Sequence, residues 1–182
     1  AAASCDVAVV LVGTSEEWES EGHDRESMDL PGDQDELVRR VAEANPNTIV
    51  LVNTGAPVTM PWADDVAAVV QVWLGGQEMA AAIDAVLFGD AEPAGRLPTS
   101  LPMCVEHNPT YNTFPGFNDH HHYGEGLLMG YRWYETRRLP TRFPFGHGGS
   151  YTTFSWEPAV ISAPALAAGG RIADDSRAPE WW

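Results

Sequence analysis

Seven carboxylates lie in one connecting segment near the start of the chain, residues 14–30, which we call the acidic loop. They are Glu16, Glu17, Glu19, Glu21, Asp24, Glu26 and Asp29. Trp18 lies among them, and an aromatic face can stack on a sugar ring and also remove water from a neighbouring carboxyl. Loss of water raises the pKa of a carboxyl towards the range that a general acid requires. The loop therefore indicates acid–base chemistry on a sugar, and the competing interpretation is a solvated acidic surface.

Asp24 and Arg25 are an adjacent acid and base near the end of the acidic loop. An exposed ion pair contributes only about 0–1 kcal/mol, so such a pair matters mainly where it is buried. We expect Asp24 and Arg25 to tie the loop to its neighbours and not to bind substrate.

The sequence predicts neither a metal nor an organic cofactor. Three consecutive histidines, His120, His121 and His122, cannot all point at one ion, and no cysteine or acidic partner recurs at ligand spacing. The glycines at 75 and 76 lack the G-x-G-x-x-G spacing of a dinucleotide site.

The elements that must position the acidic loop alternate between apolar strands and amphipathic helices. Residues 6–12 form a continuous apolar run, which predicts a strand buried on both faces of a sheet. Strands are also predicted at 48–53 and within 66–74, and helices at 33–44 and 77–88, the second with a buried apolar face. This alternation is typical of an α/β fold with a parallel sheet and right-handed crossovers. Ligands in such folds bind beyond the carboxyl ends of strands, where the acidic loop begins.

Composition restricts the classes of partner. Ten Lys and Arg residues against 26 Asp and Glu residues give a formal net charge of −16 over 182 residues. That charge repels phosphate backbones and anionic lipid headgroups, so we expect no nucleic acid and no membrane as partners. The first residues lack the basic region of a signal peptide, and localisation stays open.

Short motifs follow one another along the chain in an order that resembles one known family. They are Glu19-Ser20-Glu21-Gly22-His23-Asp24-Arg25, Leu30-Pro31-Gly32, Asn45-Pro46-Asn47-Thr48, Gly55-Ala56-Pro57-Val58, Gly75-Gly76-Gln77-Glu78, Phe88-Gly89-Asp90, Gly95-Arg96-Leu97-Pro98, Tyr123-Gly124-Glu125-Gly126, Gly130-Tyr131-Arg132 and Phe143-Pro144-Phe145-Gly146. On these motifs the chain resembles the carboxyl-terminal domain of family 3 glycoside hydrolases, the β-glucosidase and β-xylosidase family.

The resemblance implies a three-layer α/β sandwich with a mostly parallel sheet, entered part-way through so that its amino-terminal side is incomplete. Residues 1–157 are expected to form this domain. Residues 158–182 are rich in Ala, Gly and Pro, and we interpret them as a linker or as the start of a following module, such as one of fibronectin III type.

The resemblance also implies a retaining β-glycosidase that needs no cofactor and acts on terminal non-reducing sugars of β-linked glycosides or oligosaccharides, foremost β-glucosides. In that mechanism an aspartate attacks the anomeric carbon, and a second carboxyl protonates the leaving oxygen. Family members resemble one another in carrying the aspartate in an amino-terminal barrel. This chain resembles only the sandwich, so we expect the barrel to be missing from it and the chain alone to be inactive.

Two glutamates of the acidic loop are the expected acid/base candidates. In relatives that carry a Ser-x-Glu motif just after the strand, the glutamate of this motif is the acid/base. Ser15-Glu16-Glu17 matches the motif here, so Glu17 is the first candidate. Glu21 is the second candidate, with Glu16 and Glu19 behind it, and Trp18 is expected to contact the sugar. The alternatives are a carbohydrate-binding or scaffold module that uses Trp18 without chemistry, and an inactive remnant.

Overall fold

Apolar, β-branched runs form the strands of this protein, and amphipathic segments form its helices. The computed structural model describes residues 1–155 and residue 157. The elements in chain order are β1 (Ala8–Gly13), α1 (Gln34–Ala44), β2 (Thr48–Asn53), β3 (Ala68–Gln71), α2 (Met79–Leu87), β4 (Leu101–Pro102), α3 (Tyr131–Arg137) and β5 (Thr141–Phe143), with 3₁₀ turns at Ala2–Ser4 and Val105–His107. The predicted linker or following module, residues 158–182, lies outside the described residues.

The first three strands form a parallel sheet in the order β1–β2–β3. Ala8 lies opposite Thr48 and Gly13 lies opposite Asn53, so β1 and β2 end at the same level. The connections that leave these two strands therefore start side by side at one edge of the sheet. The α/β fold with a mostly parallel sheet is confirmed.

One face of the sheet and the inner side of α1 form the hydrophobic core. Alternate residues of a strand point to opposite faces, and the core face takes the even-numbered valines of β1 and β2. The buried cluster consists of Val10, Val12, Leu30, Val38, Val50, Val52, Val58, Met60, Trp62, Leu97 and Leu101. The Trp62 indole N–H donates to Asp35 Oδ1 at 2.7 Å, and burial raises the pKa of Asp35. Because Leu30 belongs to this cluster, the core holds the last residue of the acidic loop.

The other face of the sheet is only partly covered. Val9 and Leu11 of β1 are 52% and 58% exposed, so the prediction that this strand is buried on both faces is wrong. Helix α2 stands across a cleft of about 1220 Å³ whose walls include Leu51 of the sheet and Ile83 of the helix. Within residues 79–87 no side chain is buried, so the predicted apolar face of α2 lines the cleft. An apolar run is buried only where another element packs on it, so the run alone does not predict which of its faces is covered.

The second half of the chain contains more regular structure than its Gly- and Pro-rich sequence predicts. Strands β4 and β5 form an antiparallel pair, with Leu101 opposite Phe143. Helix α3 forms in a segment rich in aromatic residues for which the sequence predicted no helix. The side chain of Tyr134 is the buried one in this short helix. The neighbouring Trp133 indole N–H donates to the His107 carbonyl oxygen at 3.1 Å. Packing of the aromatic side chains therefore stabilises a helix of only seven residues.

Replacing Leu30 by Ala should lower the free energy of unfolding by about 2–5 kcal/mol, because it leaves a cavity in the core beside the acidic loop. Leu30 is 4% exposed, whereas Leu127 is 83% exposed and provides the matched control. Leu127→Ala should change the free energy of unfolding by less than about 0.5 kcal/mol. Urea denaturation measures both values, and equal losses in the two variants would contradict the placement of Leu30.

Candidate active site

The acidic loop leaves the carboxyl end of β1 as a series of local turns. It opens with a turn in which the N–H groups of Trp18 and Glu19 both donate to the Ser15 carbonyl oxygen at 2.8 Å. A tight turn follows, in which Ser20 pairs with His23 in a short antiparallel bridge. These bonds give the loop a defined backbone although eight of its 17 residues are charged.

Gln34, the first residue of α1, joins the two ends of the acidic loop. Its side-chain amide accepts a hydrogen bond from the Gly13 N–H at 2.8 Å and donates to the Gly13 carbonyl oxygen at 2.8 Å. The same amide nitrogen lies 3.0 Å from the Pro31 carbonyl oxygen. The last residue of β1 and the residue just beyond the loop are thus held by one side chain.

Glu19, near the middle of the acidic loop, contacts the connection that follows β2. Its Oε2 accepts a hydrogen bond from the Gly55 N–H at 2.9 Å, and its Oε1 accepts one from the Ala56 N–H at 3.3 Å. Arg25 Nη1 lies 3.8 Å from Glu19 Oε1, and the side chains of Arg25 and Glu19 are 18% and 17% exposed. The Glu19 carboxylate is therefore largely withdrawn from solvent, accepts hydrogen bonds from two backbone N–H groups and forms an ion pair with Arg25.

The predicted pair of Asp24 and Arg25 is not the pair that the structure forms. Arg25 faces Glu19, and its Nη2 donates to the Pro57 carbonyl oxygen at 2.9 Å. Asp24 is exposed. Arg25 binds the Pro57 carbonyl oxygen, and its acidic partner lies six residues earlier in the chain.

Asp29 fixes the far limb of the acidic loop. Its Oδ1 accepts a hydrogen bond from the Thr59 hydroxyl at 2.6 Å, and its Oδ2 accepts one from the Ser27 hydroxyl at 2.9 Å. These two bonds lower the pKa of Asp29, the bond from Thr59 most. The Thr59 N–H also donates to the Met28 carbonyl oxygen at 2.8 Å. The loop is thus bonded along residues 54–59, which we call the 54–59 connection.

The two predicted acid/base candidates, Glu17 and Glu21, are both exposed on the acidic loop. The His23 ring lies 3.1 Å from the carbonyl oxygen of Glu17, so it contacts the backbone of that residue and not its carboxylate. Trp18 is partly buried, and its indole N–H is shielded from solvent without a partner among the described residues. Glu17 and Glu21 are thus open to solvent on the loop that carries Trp18.

Glu19 ranked behind Glu17 and Glu21 in the sequence-based prediction, which did not foresee its contact with the turn after β2. The order of the strands contains a signal for this contact. Because β1 and β2 are parallel neighbours, the acidic loop and the turn at Gly55-Ala56 start side by side, and a glycine-containing turn offers backbone N–H groups to a carboxylate. The choice of Glu19 from several glutamates still required side-chain directions, which spacing does not supply.

One member of the histidine triplet, at which the sequence predicts no metal site, packs with aromatic side chains. His121 lies edge-on against Phe114 and Tyr123, with ring centroids 6.4 Å and 4.8 Å apart. Among residues 1–155 and 157 no group of three or more His, Cys, Asp or Glu side chains could hold a metal ion. None of the helices in the same residues has the length and apolarity that a membrane span requires.

The sequence profile described as "Glycosyl hydrolase family 3 C-terminal domain" matches residues 1–151. The chain belongs to this family. The "Probable beta-glucosidase I" of Aspergillus terreus is 51% identical over 154 residues, which cover 85% of the family 3 chain and 18% of that protein. The "Thermostable beta-glucosidase B" of Acetivibrio thermocellus is 47% identical over 161 residues, with coverage of 88% and 21%.

A solved structure extends the similarity from sequence to fold. The crystal structure of the beta-glucosidase from Kluyveromyces marxianus in complex with glucose matches the family 3 chain with a TM-score of 0.81 and 47% identity. The match covers 84% of this chain and 18% of that one. The chain thus spans about a fifth of the length of the relatives it matches. The family and the sandwich fold predicted from the motifs are confirmed.

Replacing Gln34 by Ala should lower the free energy of unfolding by about 1–3 kcal/mol, because it leaves the Gly13 N–H and carbonyl groups without partners in a partly buried site. The matched control is Gln77→Ala, since the Gln77 amide is exposed and contacts only the adjacent Glu78 carboxylate among the described residues. The control should change the same quantity by less than about 0.5 kcal/mol. Chemical denaturation decides the comparison, and a Gln34 variant as stable as the control would show that the amide does not join the ends of the loop.

Proposed function

We propose that this family 3 chain is part of a retaining β-glycosidase that hydrolyses the O-glycosyl bond of a terminal non-reducing sugar, foremost in β-glucosides. The observation that carries the proposal is the acidic loop, which is bonded to the 54–59 connection while Glu17 and Glu21 remain exposed at the carboxyl edge of the sheet. The named relatives support the substrate class, because they are β-glucosidases. The Kluyveromyces marxianus enzyme, moreover, was crystallised in complex with glucose.

The chain contributes the proton-transfer half of the reaction. In a retaining mechanism one carboxylate attacks the anomeric carbon while a second carboxyl protonates the departing glycosidic oxygen. The second group, now a carboxylate, then takes a proton from the water that hydrolyses the glycosyl–enzyme bond. The two carboxyl groups stand about 5–5.5 Å apart. An exposed loop glutamate can reach such a position only when another domain covers the loop.

We assign the nucleophile to an aspartate in an amino-terminal barrel outside this chain. The proposal is supported by the chain's share of its relatives, about a fifth of their length. Without that aspartate the chain alone does not turn over a β-glucoside. We also place the boundary of the domain at residue 157, close to the end of the compact unit at Tyr151, and residues 158–182 in a linker or a following module.

We propose Glu21 as the acid/base and Glu17 as its alternative, which reverses the order given by the Ser-x-Glu match. A general acid must be held in place relative to the substrate, because misplacement by 1 Å can cost about 100-fold in rate. Glu21 lies between Glu19 and Arg25, which are both bonded to the 54–59 connection. Glu17 precedes both of these contacts. The backbone that carries Glu21 is therefore supported on each side.

In the full-length protein that carries this chain, Glu21→Ala should lower kcat/KM for substrates with poor leaving groups by about 10²–10⁴-fold. Substrates with activated leaving groups should lose less, since their departing oxygen needs no proton. Added azide should restore turnover and give a glycosyl azide, because azide attacks the anomeric carbon of the glycosyl–enzyme in place of water and, unlike water, needs no general base.

Glu17→Ala and the exposed control Glu26→Ala should stay within a few-fold of the wild-type enzyme in the same assays. Leaving-group dependence and azide rescue in the Glu17 variant, with neither effect in the Glu21 variant, would transfer the role to Glu17. An absence of both effects in both variants would favour the non-catalytic carbohydrate-binding or scaffold module.

A further inference from the structure

We propose that Glu19 is a positioning residue for the reaction: its carboxylate binds the turn after β2 and thereby holds the acid/base glutamate two residues later. This inference rests on the proposed function. It assigns Glu19 neither proton transfer nor contact with the sugar. Its role is exerted through the backbone of residues 20–22.

The receiving side of the contact is a pair of successive backbone N–H groups. Gly55 and Ala56 donate to different oxygens of the Glu19 carboxylate, at 2.9 Å and 3.3 Å. Successive N–H groups in a turn form a concavity that binds anions, and a hydrogen bond to a charged acceptor is about twice as strong as one between neutral groups. Arg25 adds a positive charge at 3.8 Å. The contact is thus specific for a carboxylate at this position of the loop.

The turn that receives Glu19 is itself fixed. Thr54 is fully buried, and Gln71 Nε2 lies 3.2 Å from its hydroxyl and 3.3 Å from its carbonyl oxygen. Because the turn is fixed relative to the sheet, a hydrogen bond between the turn and the acidic loop also fixes the loop. The acidic loop is therefore located relative to the sheet and not only relative to itself.

Gly55 permits the close approach of the carboxylate. A Cβ atom at this position would lie 2.5 Å from Glu19 Oε2 and 2.9 Å from Leu74 Cδ1. Any larger residue would have to push the Glu19 side chain away from the N–H groups. Gly55→Ala therefore tests the same contact from the opposite side.

Glu19 is poorly placed to be the proton donor. Both of its oxygens already accept hydrogen bonds from backbone N–H groups, and a protonated carboxyl would direct an O–H towards those donors. Its side chain is also only 17% exposed, whereas a group that protonates a leaving oxygen must reach the substrate. Glu21 has the opposite properties, since it is exposed and lies in the turn that begins directly after Glu19.

The test compares Glu19→Gln and Gly55→Ala with the matched controls Glu26→Gln and Gly76→Ala in the full-length protein. Glu26 is exposed on the same loop, and a Cβ at Gly76 would meet no atom of the described chain within 4 Å. Both test variants should lose about 100-fold in kcat, as expected for a displaced catalytic group, with KM little changed. Azide should not restore their activity, because the acid/base carboxylate is still present and repels the anion. The controls should match the wild-type enzyme.

Amide hydrogen exchange on the same proteins provides a readout that does not depend on catalysis. The Gly55 and Ala56 amides should exchange faster in Glu19→Gln than in the wild-type protein, while the β2 amides keep their protection and show that the fold is intact. Faster exchange with unchanged kcat in both test variants would overturn the positioning role. Azide rescue of Glu19→Gln would overturn it too and make Glu19 the acid/base itself. An inactive wild-type protein would refute the proposed function, and the exchange rates would still show whether Glu19 binds the turn.

Discussion

The parallel pairing of β1 with β2 is the constraint on which the candidate site depends. Because the two strands end at the same level, the acidic loop and the 54–59 connection leave the sheet side by side. The connection offers backbone N–H groups and a threonine hydroxyl, and the loop offers carboxylates. Each of Glu19 and Asp29 is bonded to a different part of the connection, so the loop is fixed along its length and not at one point.

These contacts also explain how seven carboxylates can occupy one short loop in a chain with a formal net charge of −16. Glu19 and Asp29 lie against hydrogen-bond donors, which offsets part of the repulsion between charges. The pKa of Asp29 is lowered by its bonds from Thr59 and Ser27. Its contribution to stability is therefore fully present above the unfolded value of 3.8 and is lost as the pH falls through the folded value. The remaining exposed glutamates are free to meet a substrate or another domain.

Much of the first half of the fold could be predicted from the sequence, because short apolar runs alternate there with segments whose apolar residues recur at helical spacing. The prediction failed where burial depends on a neighbour: β1 and α2 have apolar faces, but Leu11 is exposed and Ile83 lines a cleft. Helix α3 was missed because Tyr134 and Trp133 stabilise it by tertiary packing, which local propensity does not report.

The candidate site shows the same division between what sequence could and could not supply. Motif order predicted the family, and the apolar run at residues 6–12 placed the acidic loop at the carboxyl end of a strand. Spacing did not identify Glu19 as the residue bound to the turn after β2, nor as the partner of Arg25, because both contacts depend on side-chain directions in a non-repetitive loop. The hydrogen bonds of Glu19 to the turn after β2 are the basis on which we propose it as a support for the acid/base glutamate.

The central claim is that this chain holds the acid/base of a glycosidase site and not its nucleophile. A 2-deoxy-2-fluoro-β-glucoside with a good leaving group traps the glycosyl–enzyme of a retaining enzyme, and mass spectrometry of the digested protein then locates the labelled carboxylate. Treatment of the full-length protein should label an aspartate that lies outside residues 1–182. A label on any carboxylate within this chain would contradict the account.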